Sequence, residues 1–269
     1  MMTAEEGLIY SQDGAVVTLT INRPDTRNAL GDPGDIDVWV HAAARINADR
    51  TVRAVILTGA GKAFSAGGNV KAMRERGGMF EGGAVAIREN YRRTVHRIVR
   101  AVWSIEVPTI AAVNGPAIGL GNDVACLCDT RIAAASAIFG VTFLKIGLVP
   151  GDGGAWLLPR IVGMAKASEL FFTGDTIPAQ EALTFGLVSK VVPDEALLDE
   201  ARKLAQRMAA QPPDVLRMTK KLLRDGMSAS FDTILDMSAA FQAAAHLTED
   251  HQEAVSAFFD KRPGVYHGR

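Results

Sequence analysis

The sequence predicts an α/β protein with layered sheets and an all-helical C-terminal region. Three observations lead there. Up to about residue 195, apolar runs of strand length alternate with segments of helical spacing. From Asp194 onward only helical patterns remain, over 194–210, 214–226, 230–246 and 248–260. The 269 residues, 48% hydrophobic and 22% charged, sit near the upper limit for one hydrophobic core, so one large domain with a smaller appendage is expected. The boundary is drawn between 1–195 and 196–269.

The first segment, LIYSQDGAVVTLTIN, alternates apolar and polar residues on both sides of Asp13-Gly14, the pattern of a β-hairpin. Residues 35–48 carry Ile36, Val40, Ala43, Ala44 and Ile46 at helical spacing. RAVILTG (53–59) is a continuous apolar run ending in Gly, as expected of a strand buried on both faces. The polar segment 71–90 holds Gly77-Gly78 and Gly82-Gly83, which marks it as a mobile lid. Residues 88–105 read as one basic amphipathic helix with Val95, Ile98, Val99 and Val102 on one side. After Pro108 comes a second buried strand, TIAAVN, then a Gly-rich turn, then TRIAAAS and the short AIFGV. In the tail, Pro212-Pro213 and the region of Gly226 separate the helices. Leu197, Leu204, Leu222, Leu235, Phe241 and Phe258 there present more apolar surface than the helices cover themselves, so docking on the core or on a neighbouring subunit is expected.

Composition narrows the function classes. A net charge of −1 gives no global field for nucleic acid or an anionic membrane. Asn114, Asp123 and Asp129 break the longest apolar runs well short of the roughly 18 residues of a membrane span. The acidic start MMTAEEGLIY lacks a cationic segment followed by an apolar one, so no signal peptide is expected. Cys126 and Cys128 have no second Cys/His pair nearby to complete a metal site. They read as core thiols of a cytoplasmic protein, and no metal is expected.

Two stretches share one architecture of buried strand, Gly-rich turn and helix start: LTGAGKAFSAGGNVKAM (57–73) and VNGPAIGLGNDVA (113–125). Such turns leave backbone N–H groups free at a helix N-terminus, where an oxyanion or phosphate can bind. If the two turns face each other, the N–H groups of Gly68 and Leu120 converge on one carbonyl oxygen and stabilise an enolate or tetrahedral anion. Taken singly, each reads first as a tight turn. Three motifs fall short. GLGNDV lacks the third glycine and the distal acid of a dinucleotide site, and GAGK lacks the spacing of a P-loop. AFSAG resembles a nucleophile elbow around Ser65, yet the five histidines all read as helical or terminal surface residues.

Five stretches together resemble the crotonase superfamily, the enoyl-CoA hydratases and isomerases. They are NRPDTRNAL (22–30), GKAFSAGGNVKAM (61–73), PTIAAVNGPAIGLGNDVACLCDTRIAAASAIFG (108–140), KIGLVPGDGGAWLLPR (145–160) and AFFDKR (257–262), in matching order over about residues 8–262. The resemblance implies a crotonase-like (ClpP/crotonase) fold of repeated β-β-α turns, with a C-terminal helical region that forms homotrimers or hexamers. It implies an acyl-CoA thioester as substrate, no cofactor beyond that coenzyme A, and no nucleic-acid or membrane partner. Gly68 and Leu120 match the two oxyanion donors. Asn28, Ala29, Ala66 and Val70 match walls around the CoA, Lys71 a phosphate neighbour, and Phe258 and Lys261 C-terminal residues that reach a CoA from the same or an adjacent subunit. For both lysines a solvated surface role is equally open.

The implied chemistry is removal of a thioester α-proton or conjugate addition, with a carboxylate moving the proton. Asp123 matches the first of the two glutamates of many family hydratases. The second falls at Phe143, which cannot transfer a proton, so the resemblance departs from a two-acid hydratase at this point. Asp152, in PGDGG, lies in a loop where related isomerases and dehalogenases place an acid, offset by one position. It reads either as catalytic or as a helix N-cap. The expected activity is of enoyl-CoA hydratase type, with Asp123 as acid/base. A double-bond isomerase or specialised relative is the alternative, and a CoA-thioester binding protein with little turnover is the alternative of another class.

Overall fold

Seven strands form the main sheet of the computed structural model, which describes residues 2–5 and 7–269. They are β1 (Met2–Glu5), β2 (Gly7–Asp13), β3 (Val16–Asn22), β4 (Ala54–Gly59), β5 (Thr109–Val113), β7 (Thr130–Ala134) and β10 (Lys190–Val192). Their spatial order is β1-β2-β3-β4-β5-β7-β10, antiparallel across β1, β2 and β3 and parallel from β3 onward. A second sheet of β6 (Ala117–Ile118), β8 (Ile138–Gly140) and β9 (Thr176–Pro178) stands beside the first, ordered β6-β8-β9. The first hairpin pairs Asp13 with Val16, so its turn is Gly14-Ala15, one residue beyond the expected Asp13-Gly14. Gly14 takes the positive φ that the first turn position needs.

The continuous apolar runs follow from alternation across a sheet covered on both faces. Ala54, Ile56, Ile110, Ala112, Ile132 and Ala134 pack under α9 (Leu197–Ala209) through its Leu197, Ala201, Ala205 and Ala209. Val55, Leu57, Ala111, Val113 and Ala133 point the other way, into the main core. That core is roofed by α1 (Ile36–Ala48), α4 (Val95–Trp103) and α5 (Leu120–Leu127). α9 thus belongs to the layered body, although it begins where the strand pattern ends.

The segment read as a lid contains α2 (Val70–Glu75) and α3 (Ala84–Arg93). The single helix expected over 88–105 is two, α3 and α4, broken at Thr94 with φ −118° and ψ −96°. The Thr94 hydroxyl donates to the Asn90 carbonyl at 2.6 Å, beside the Thr94 N–H bond to the same oxygen, the kind of side-chain bond that bends a helix. Beyond β8 the chain runs through α6 (Gly154–Val162), α7 (Met164–Thr173) and α8 (Ala179–Thr184) before β10. The tail after α9 is α10 (Pro213–Asp225), α11 (Phe231–His246) and α12 (Glu249–Asp260), as the spacing predicts. Much of its apolar surface is open in the single chain, including Phe231, Leu247, Phe258 and Phe259. Among the described residues, no helix is long and apolar enough to cross a membrane.

Candidate active site

The two Gly-rich turns are joined edge to edge. Ser65 N–H donates to the Pro116 carbonyl at 3.1 Å, and Ile118 N–H donates to the Ser65 carbonyl at 2.9 Å. Gly67 has φ +86°, and a Cβ there would stand 2.5 Å from the Ile118 oxygen and 3.3 Å from the Leu120 nitrogen. Only glycine permits that approach. Gly68 and Leu120 consequently line one cavity. Leu120 opens α5, so its N–H has no intrahelical acceptor. Ser65 is fully buried, and its hydroxyl donates to the Asn28 carbonyl at 2.7 Å while accepting from Gly67 N–H at 3.1 Å. It fastens the turns together and is not a free nucleophile, which removes the hydrolase reading.

Both candidate acids lie close behind these turns, and their surroundings differ. Asp123 sits in the first turn of α5 with no exposed surface. Its Oδ2 accepts from the Gly154 N–H at 3.1 Å, at the start of α6, and its Oδ1 is buried without a partner. Gly154 is obligatory here, since a Cβ would fall on the Asp123 carboxyl. Burial, together with the Asp152 charge, pushes the Asp123 carboxyl up to about 8. It is therefore protonated at neutral pH. Asp152 lies in the turn before α6 and is 5% exposed, and it borders the cavity. Burial pushes it up to about 6, against the lowering effect of His96. The N-cap of α6 is Gly153, with no side-chain cap, so Asp152 does not cap that helix. The N-cap role weighed for Asp152 falls instead to Asp123, which reaches across from α5.

Phe143 occupies the 3-10 turn Thr142–Ile146 and is 9% exposed. Its ring edge lies 3.7 Å from where a Gly119 Cβ would stand, directly beside the Leu120 turn. The cavity wall at that point is thus an aromatic ring, with no acid. Met79 and Phe80 from the lid segment, and Tyr91 just beyond it, also line the cavity. Burial and the Asp152 charge raise the Tyr91 phenol above its usual value.

Among the other residues picked from the sequence, Ala29, Ala66 and Val70 border the cavity. Asn28 does not. It is fully buried with φ +59°, its Oδ1 accepts from Arg23 N–H at 2.8 Å, and its Nδ2 donates to Ala60 and Ala63 carbonyls at 2.9 and 2.8 Å. Its side chain is spent on shaping the loop that carries Ala29. Lys71 is exposed on α2 and does not border the cavity. Phe258 and Lys261 are exposed at the end of α12 and do not border the cavity of their own chain either. His96, read from sequence as a surface residue, is half-buried and bonds the Gly151 carbonyl at 2.9 Å. Nothing in its local spacing pointed there, because the contact spans 55 residues. Cys126 and Cys128 are buried free thiols, pushed up by burial to about 12 and about 11, and are not nucleophiles.

Residues 11–269 match the family model described as enoyl-CoA hydratase/isomerase. The chain is 38% identical over 256 residues to the short-chain-enoyl-CoA hydratase of Clostridium acetobutylicum, covering 95% of each protein. It is 35% identical over 264 residues to the 1,2-epoxyphenylacetyl-CoA isomerase of Escherichia coli, covering 98% of this chain and 99% of that one. The crystal structure of an enoyl-CoA hydratase from Bacillus anthracis superposes with a TM-score of 0.91 at 33% identity, covering 98% of this chain and 100% of that one.

Proposed function

This chain belongs to the enoyl-CoA hydratase/isomerase family, and from that premise we propose that it moves a double bond within an enoyl-CoA thioester. The thioester carbonyl sits between the N–H groups of Gly68 and Leu120. The pantetheine passes Ala29, Ala66 and Val70, and Lys71 meets the phosphates. Asp152, as carboxylate, takes a proton from Cα. The C–H electrons pass into a dienolate whose oxygen charge is met by the two N–H donors. The Asp152 carboxylic acid then returns the proton at Cγ, and the thioester carbonyl re-forms with the double bond conjugated to it. Asp123 stays protonated behind Asp152 and holds the start of α6. Phe258 and Lys261 reach a CoA bound by an adjacent copy in a homotrimer or a dimer of trimers, in the cytoplasm.

The observation that carries this reading is that the cavity presents one buried carboxylate, Asp152, with the Phe143 ring beside the Leu120 turn. One acid suffices to carry a proton between two carbons, whereas syn addition of water is helped by a second. The test offers 3-enoyl- and 2-enoyl-CoA to the wild type, Asp152→Asn and Asp123→Asn, and follows double-bond migration and water addition. Migration outruns hydration in the wild type. Asp152→Asn loses about 100-fold or more while still binding the thioester, and Asp123→Asn keeps most of the rate. Faster hydration returns the protein to the hydratases. A reversed order of the two variants makes Asp123 the acid, and binding without turnover leaves a CoA-thioester binding protein.

A further inference from the structure

Asp152 stands in a turn that its own glycine-rich residues do not fix. Gly151, Gly153 and Gly154 surround it, and Gly153 has φ +98°. Among the described residues, no N–H or O–H donates to its carboxylate, although it is almost completely buried. A buried carboxylate that must meet a substrate carbon needs its direction set from outside.

Two contacts hold the turn, one on each side of Asp152. On the far side, Asp123 Oδ2 accepts from Gly154 N–H at 3.1 Å. On the near side, His96 Nε2 lies 2.9 Å from the Gly151 carbonyl oxygen. A carbonyl can only accept, so Nε2 carries the proton, which fixes the tautomer of the neutral ring. The Tyr91 ring stands edge-on to His96 at 6.2 Å between centroids and 61° between planes. Its Cε1 is 3.6 Å from where a Gly151 Cβ would stand, and the same ring borders the cavity. The charged and titratable groups about His96 are Asp152 from the turn and Tyr91 from α3. On α4 itself, the Arg97 guanidinium is engaged by Asp37 of α1 at 2.8 Å.

We infer that His96 is a positioning residue for Asp152. Its ring N–H pins the Gly151 carbonyl, so that the carboxylate one residue on points into the cavity. His96 does not border the cavity and touches no reacting atom. It acts through the turn, and through Tyr91 it ties the lid helix α3 to the acid. This inference rests on Asp152 being the proton carrier.

The test compares His96→Ala and His96→Gln with the wild type, with Asp152→Asn run alongside. His96→Ala lowers kcat for double-bond migration about tenfold or more, while the Kd of a saturated acyl-CoA stays within about threefold. His96→Gln, which can still donate to the carbonyl but carries no charge, recovers part of kcat. In both variants the acid limb of kcat/KM moves to higher pH, because the His96 ring that lowers the Asp152 pKa is gone. Wild-type kcat with an unmoved acid limb in both variants overturns the inference. So does a loss of acyl-CoA binding equal to the loss of kcat with no shift of the limb. Should His96→Ala fail to fold, His96→Gln decides by its acid limb alone. Full activity in Asp152→Asn instead sinks the assignment of Asp152, whatever the His96 variants do.

Discussion

Replacing Asp123 by Asn tests the protonation state on which the division of labour between the two acids depends. Burial holds the native carboxyl at about 8, whereas in the unfolded chain it titrates near 4. Between those values the folded state keeps a proton that the unfolded state has shed, so raising the pH favours unfolding. The loss runs at about 1.4 kcal/mol per pH unit and ends above about 8, where both states are ionised. Asp152 adds a similar loss, but only up to about 6, so over the interval from pH 6 to 8 the difference between wild type and Asp123→Asn reports Asp123. Across it the wild type loses about 2–3 kcal/mol through this group, and Asp123→Asn does not. Asn matches the neutral acid in shape and still offers an oxygen to Gly154 N–H. At pH 6 the two proteins therefore agree within about 1 kcal/mol, and by pH 8 the variant is the more stable. Urea unfolding at pH 6, 7 and 8, followed by tryptophan fluorescence, measures the difference in slope. Parallel pH dependences would refute the reasoning, because they would mean that Asp123 is already ionised in the folded protein at pH 6.

Two further substitutions probe the walls around the acids. Phe143→Glu places a carboxyl beside the Leu120 turn and raises the ratio of hydration to migration about tenfold, measured on 2-enoyl- and 3-enoyl-CoA; an unchanged ratio would mean that Phe143 is not what withholds hydration. Gly154→Ala drives a methyl into the Asp123 carboxyl and lowers stability by about 1–3 kcal/mol by thermal melting; a wild-type Tm would show that the α6 start can move away freely.

The strands were legible where apolar runs were continuous. AVILTG and TIAAV face two different cores through alternate residues, so neither run has a polar side to confuse it with an amphipathic helix. The tail was legible because proline and glycine punctuate it. The break at Thr94 was not, since helical spacing continues through it while the backbone turns there, at φ −118° and ψ −96°. Asn28 shows the same limit from another direction. Its match to a CoA wall lies one residue from Ala29, which does border the cavity, but its own amide bonds Ala60 and Ala63, more than 30 residues on. Linear spacing places a residue on a loop and leaves open which way its side chain turns.

The aspartates show what that limit means for chemistry. Spacing put Asp123 in the first turn of a helix beside an anion-binding turn, and it is there. Spacing also put Asp152 in a Gly-rich turn before a helix, where an N-cap is the ordinary use of an aspartate. Yet α6 receives its carboxylate oxygen from α5, across 31 residues, through Gly154 N–H. Once Asp123 supplies that bond, Asp152 is released from capping, and the like charge that two ionised neighbours would share is avoided because Asp123 holds its proton. The helix start, the missing methyl at Gly154 and the neutral Asp123 thus form one arrangement that leaves Asp152 ionisable at the cavity. The ordering it implies is that a variant which ionises Asp123 or breaks its bond to Gly154 disturbs Asp152 through its charge and its turn, while a variant of Asp152 leaves the Asp123–Gly154 bond intact.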